Sequence, residues 1–133
     1  MSRENVELNH QANDAFNRRD MHAFLALMDH DVEFIPYEVA VQGGDPYRGH
    51  DGVRRWWEET LSVLPDIRVE TYEIRDLGER NFVHGRLSGH GAGSGAPIER
   101  PLWQVVEWRD NKTVWWGVFE SEAEALEAAG LSE

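Results

Sequence analysis

The sequence predicts an α+β fold: a curved, mixed or antiparallel sheet wrapped around three N-terminal helices and closed by a short C-terminal helix. Three observations lead there. In the first half, apolar residues recur every three or four positions, the spacing of one helix face. From Ile67 the period changes to two, and the strand-like run is interrupted by the glycine-rich stretch Gly89–Gly95. The chain then ends on Glu122-Ala123-Glu124-Ala125-Leu126-Glu127-Ala128-Ala129, a run of strong helix formers. Helices followed by a hairpin-rich sheet bury their faces by packing as a cone around an apolar hollow.

Val6, Leu8, Ala12, Ala15 and Phe16 mark a first helix to about Arg18. Asp20 caps a second helix, with Met21, Phe24, Leu25, Leu27 and Met28 on its buried face. The link Asn17–Asp20 is short, so the two pack as a hairpin. Asp31 to Tyr37 alternates and reaches Pro36, which suits a strand at an edge or bend. Residues 42–50 are turn-rich and read as an exposed loop. Asp51 caps a third helix through Val53, Trp56, Trp57 and Leu61, and Pro65 stops it. Strands are expected at 67–76, 80–90, 98–109 and 113–120, with turns at Leu77-Gly78-Glu79 and Asp110-Asn111.

Length and charge narrow the function classes. At 133 residues, the chain is expected to form one domain over 1–133. Thirteen basic and 25 acidic side chains give a net charge of −12, a field that repels nucleic acid and anionic membranes. The first residues lack an apolar signal core, so a cytoplasmic location is expected. With no cysteine there is no thiolate site, and Lys112, the one lysine, falls in a turn unsuited to Schiff-base chemistry. No cofactor or metal is expected. His84 and His90 stand six residues apart on a strand, roughly 20 Å, too far to share an ion. The glycine run has no helix after it, so it offers no phosphate cradle.

Several local patterns also resemble those of the SnoaL-like family of the nuclear transport factor 2-like superfamily. The carriers are Asp31-Val32-Glu33-Phe34, Tyr47-Arg48-Gly49-His50-Asp51-Gly52-Val53, Gly93-Ser94-Gly95, Trp108-Arg109-Asp110-Asn111-Lys112 and the ending Glu124–Leu131. The resemblance implies the cone fold that also houses ketosteroid isomerases and limonene epoxide hydrolases. It fixes no activity, because that fold carries isomerases, cyclases, hydrolases and plain binders. Their usual acid–base groups are not matched. The isomerase base corresponds to Pro36, its tyrosine to Ala12 and its second acid to Gln104, while the epoxide hydrolase carboxylate corresponds to Val118. An amide can donate to a carbonyl oxygen but cannot take a proton.

The expected occupant is therefore a small apolar molecule, such as a polycyclic or carbonyl-bearing metabolite. The pocket is expected to be lined by Phe34, Pro36, Tyr37, Trp57, Gln104, Val106, Trp116, Val118 and Glu120. Catalysis, if any, would be isomerisation, cyclisation or hydration, with Gln104 as oxyanion donor and Glu120, desolvated beside Trp116, as base. Gln104 has a second reading, as a hydrogen bond closing a core network. His84 and Arg86 share one strand face with Ser88 and His90: either a polar cluster in the cavity or, with Gly85 and Leu87 packing inward, an outer-face row. Tyr37, Tyr47 and His50 stand as lid contacts or plain loop residues. Trp103 and Trp115 are assigned to the outer face, where an apolar row predicts a homodimer through the sheet. The alternative to an enzyme is a non-catalytic binding or dimeric assembly module.

Overall fold

The structure, a computed structural model, describes residues 2–130; Leu131 of the resemblance-bearing ending lies outside them. In chain order it contains α1 (Ser2–Asn17), α2 (Met21–Ala26), β1 (Met28–Ile35), α3 (Tyr37–Gln42), β2 (Tyr47–Arg48), α4 (Gly49–Val63), β3 (Arg68–Asp76), β4 (Arg80–His90), β5 (Pro97–Arg109), β6 (Lys112–Phe119) and α5 (Glu122–Ala128). The strands form one curved, unclosed sheet in the order β2-β1-β6-β5-β4-β3. Its hairpins are antiparallel, and β1 joins β6 in parallel, which makes the sheet mixed.

Local chemistry explains the boundaries. Asp20 Oδ1 accepts from the Ala23 amide at 3.0 Å and caps α2. The sequence places the next cap at Asp51, whereas α4 begins two residues earlier. Gly49 takes a positive φ there, and an added Cβ would crowd the His30 carbonyl, so only glycine turns comfortably. Four helices, not three, precede the meander. The extra one, α3, is a six-residue piece between Pro36 and Gly43 with no buried side chain, hence with no apolar periodicity to reveal it. Residues 42–50 are likewise not all loop, since Tyr47 and Arg48 pair with Phe34 and Glu33 at the sheet edge.

α1 carries asparagine at positions 5, 9, 13 and 17, every fourth residue along one stripe. Asn17 donates to the Val69 carbonyl at 2.8 Å and accepts from the Val69 amide at 3.0 Å, the reciprocal pair that another strand would make. Asn5 donates to the Gly78 carbonyl at 3.1 Å. Asn17 thus takes the place of a neighbouring strand at one residue of the open edge of β3, and Asn5 ties the helix to the turn after that strand. Beside it, β3 shifts register between Thr71 and Glu73, and Gly85 of β4 faces the shift. A Cβ at Gly85 would collide with the Glu70 carbonyl oxygen, so the close approach of the two backbones requires glycine.

The core has two sides. Phe16, Phe24, Phe34, Val53 and Trp57 fill the concave side beneath the helices. On the convex side, α5, capped by Ser121, lays Ala125 against the fully buried Phe82 and Val105. Part of the outer apolar row is therefore covered by the chain itself. Trp115 there packs near Phe119 and beneath the Arg80 guanidinium.

Candidate functional site

A cavity of about 120 Å³ lies between the helices and the concave face of the sheet. Strand alternation decides its walls. Arg100, Leu102, Gln104, Val106 and Trp108 of β5 point inward, as do Trp116 and Val118 of β6. Phe34, Pro36 and Tyr37 complete the side nearest α3. The parallel register sets Phe34 opposite Trp116, and their rings stack at 3.7 Å and 20°. Trp56 meets Phe34 edge-on at 4.7 Å and Trp116 at 5.6 Å.

Within this aromatic wall stands one organised polar group. Trp116 Nε1 donates to Gln104 Oε1 at 2.6 Å. An indole N–H can only donate, so this bond fixes which end of the amide is oxygen. Gln104 Nε2 is left with two donors and no partner among the described residues. Both readings of Gln104 thus describe half of it: its oxygen closes a wall contact, and its nitrogen is unspent. Trp108 Nε1 and Asn9 Nδ2, also on lining residues, are buried donors without a partner.

Two sequence expectations, Trp57 and Glu120, need correction, and two that the sequence left open, the His84–Arg86 face and the lid residues, are decided by the geometry. Trp57 does not line the cavity; it is 4% exposed and packs on Phe16 and Phe24 at 5.2 and 5.1 Å. Consecutive helix residues point about 100° apart, so Trp56 takes the wall. Glu120 is exposed beyond the end of β6 and is not a lining residue, so it does not stand in the cavity beside Trp116. His84 and Arg86 do not reach the cavity; they lie on the outer face. His84 stacks on Trp103 at 4.0 Å and 8°, and Arg86 pairs with Glu70 at 3.4 Å and with Glu99. Of the lid candidates, only Tyr37 lines the cavity. His50 Nε2 is bonded to the Met28 carbonyl at 2.9 Å, anchoring α4 to β1. Tyr47 donates to Glu59 at 2.8 Å; this bond, with burial and the Glu59 charge, raises its phenol above the ordinary range.

Three titratable groups line the cavity: Tyr37, Glu38 and Arg100. Glu38 is exposed and the other two are half-buried, so they mark the rim open to solvent. The Arg100 guanidinium lies 4.0 Å from the Tyr37 ring centre, a cation–π contact. Sequence reading passes over Arg100, although its parity with Leu102 and Gln104 is a signal that could find it. Among the described residues, no three His, Asp or Glu side chains gather as a metal site would require. No helix among them is long and apolar enough to cross a membrane.

The SnoaL-like domain model matches residues 10–116. This chain belongs to the SnoaL-like family. No curated protein matches it. Solved structures supply the fold. An NTF2-like protein of unknown function from Burkholderia pseudomallei superposes with a TM-score of 0.79 at 22% identity, covering 93% of this chain and 95% of that one. TerC, co-crystallised with polyporic acid, gives 0.78 at 22% identity over 96% and 98%. A protein from Jannaschia sp. described as a SnoaL-like polyketide cyclase gives 0.77 at 17% over 95% and 90%. At such identities they show that this SnoaL-like chain has the NTF2-like cone fold, and no more.

Proposed function

We propose that this SnoaL-like protein binds a small hydrophobic molecule through a carbonyl oxygen that accepts from Gln104 Nε2. One observation carries the reading: the Gln104 amide is pinned by Trp116 in a single orientation, with its donors unspent in a cavity walled mainly by aromatic and aliphatic side chains. A fixed donor in an apolar pocket is how such sites orient a ligand. A dry cavity of roughly 150 Å³ holds benzene, so about 120 Å³ leaves room for one ring at most, with its substituents reaching the open rim. A polycyclic skeleton would require the wall beside α3 to move. The Jannaschia sp. protein described as a SnoaL-like polyketide cyclase and TerC with polyporic acid support a small-molecule occupant. Among the lining residues Glu38 is the only carboxylate, and it stands at the rim. We therefore read the site as a binding site first. Any isomerisation, cyclisation or hydration would use Gln104 as oxyanion donor. Calorimetric titration with 4-methylacetophenone and with 4-ethyltoluene tests this. Saturable binding of the ketone, weaker binding of the hydrocarbon and loss of that difference in Gln104→Leu support it. No binding of either removes it.

We also propose a homodimer through the outer sheet face, on the patch that α5 leaves open. Tyr72, 58% exposed, meets His84 there, and His84 stacks on Trp103. Sedimentation should give a dimer that Trp103→Glu converts to monomer; a wild-type monomer would end this proposal.

A further inference from the structure

The cavity rim holds a cation that the protein leaves unspent. Eight described arginines stand in ion pairs with carboxylates: Arg18, Arg48, Arg54, Arg55, Arg75, Arg80, Arg86 and Arg109. Arg19 and Lys112 donate instead to backbone carbonyls. Arg68, exposed at the start of β3, and Arg100 do neither, and of the two only Arg100 lines the cavity. Its guanidinium makes no ion pair or hydrogen bond among the described residues, and its Nε is buried without a partner. The Tyr37 ring, 4.0 Å away, supports the group without using its in-plane donors. In a chain of net charge −12, an arginine half-buried and paired with no carboxylate needs a reason.

We propose that Arg100 is a carboxylate-binding residue, and that the ligand is a keto acid: an apolar ring with a ketone at one end and a carboxylate at the other. The inference rests on the reading of the Gln104 site and names its substrate class. Arg100 and Gln104 lie four residues apart on β5 and point to the same face. One ring with a substituent at each end, plus a hydrogen bond at either tip, bridges that interval. Gln104 stands among buried aromatic residues and Arg100 at the solvent-open rim. A single ring between them keeps its apolar body in the cavity and its charge at the edge, where desolvation costs least. A planar guanidinium with free parallel N–H donors is the group that grips a carboxylate with two hydrogen bonds. Two acids bear on the rim. Glu99, next in sequence, is turned outward and held by Arg86, so it does not compete. Glu38 lines the rim itself and opposes an anion, so it tempers the affinity.

The test is calorimetric titration of the full chain at neutral pH with 4-acetylbenzoate and 4-methylacetophenone, a pair differing in carboxylate against methyl. Wild type should bind the acid about tenfold more tightly, the worth of a charge-assisted pair at a partly open site. Arg100→Gln should erase that preference while leaving the ketone's affinity unchanged, which also shows that the variant is folded. Glu38→Gln should tighten the acid alone. Raising sodium chloride from about 50 to 500 mM should weaken the acid alone, because exposed charges are screened. Equal affinities in wild type, or an Arg100→Gln variant that keeps the preference, overturn the proposal while the ketone site stands. If neither compound binds, the Gln104 reading falls and takes this one with it.

Discussion

The bond between Trp116 and Gln104 can be weighed by removing each end in turn. Gln104→Leu keeps the bulk and leaves the Trp116 N–H, 2.6 Å from its former acceptor, without a partner. An orphaned buried polar group costs about 1–3 kcal/mol. Both side chains are half-buried, so the lower half of that range, about 1–1.5 kcal/mol, is expected. Trp116→Phe orphans the amide oxygen instead. It also removes the indole's second ring from between Phe34 and Phe24, adding about 1–2 kcal/mol for lost packing. In the double variant no polar atom of this pair is left without its partner, so the total should fall short of the sum by about 1 kcal/mol. Urea denaturation of the four proteins, compared at constant m-value, measures the shortfall. Strict additivity, within about 0.4 kcal/mol, would show that the two side chains do not interact and that the amide is free to turn over.

Other expectations follow from single contacts. Gly85→Ala drives a methyl group into the Glu70 carbonyl oxygen. Overpacking of this kind costs about 1–3 kcal/mol, readable as a lowered melting temperature. Asn17→Ala removes both bonds to Val69 and should speed hydrogen exchange of β3 amides ahead of those in β5. The Asp66 carboxyl is held below the usual carboxylate range by hydrogen bonds from the His90 side chain and then its amide. A depressed folded-state value contributes stability above the unfolded value of about 3.9 and loses it as pH falls through the folded one. Asp66→Asn should therefore flatten the stability profile on the acid side; an unchanged slope there would refute the link.

The four long strands were legible because each is exposed to water, or to helices, on one side at a time, and that alternation writes period two into the chain. The glycine run announced its hairpin for a related reason: Gly93 and Gly95 take positive φ, which other residues resist. α3 left no trace, because a helix with no buried residue has no apolar face. Pocket residues on strands follow from parity once Gln104 faces inward. Helix α4 offered no such rule, and the choice between Trp56 and Trp57 turned on a rotation that spacing alone does not set. Glu120 has the inward parity of Trp116 and Val118, but the strand ends before it, leaving it in solvent. Arg100 leaves no mark of its role in the sequence, because its value lies in what it does not touch, and only the ion pairs of the other arginines reveal that.

On the proposed reading, the spare Gln104 donors face a largely apolar hollow, open at its rim, that accepts a carbonyl compound. Two-dimensional ¹⁵N spectra recorded during titration with 4-methylacetophenone address it directly. The Gln104 side-chain amide and the Trp116 indole resonances should shift together and saturate, while that of the outer-face Trp103 indole stays still. Shifts confined to Trp103, or none at all, would contradict the account.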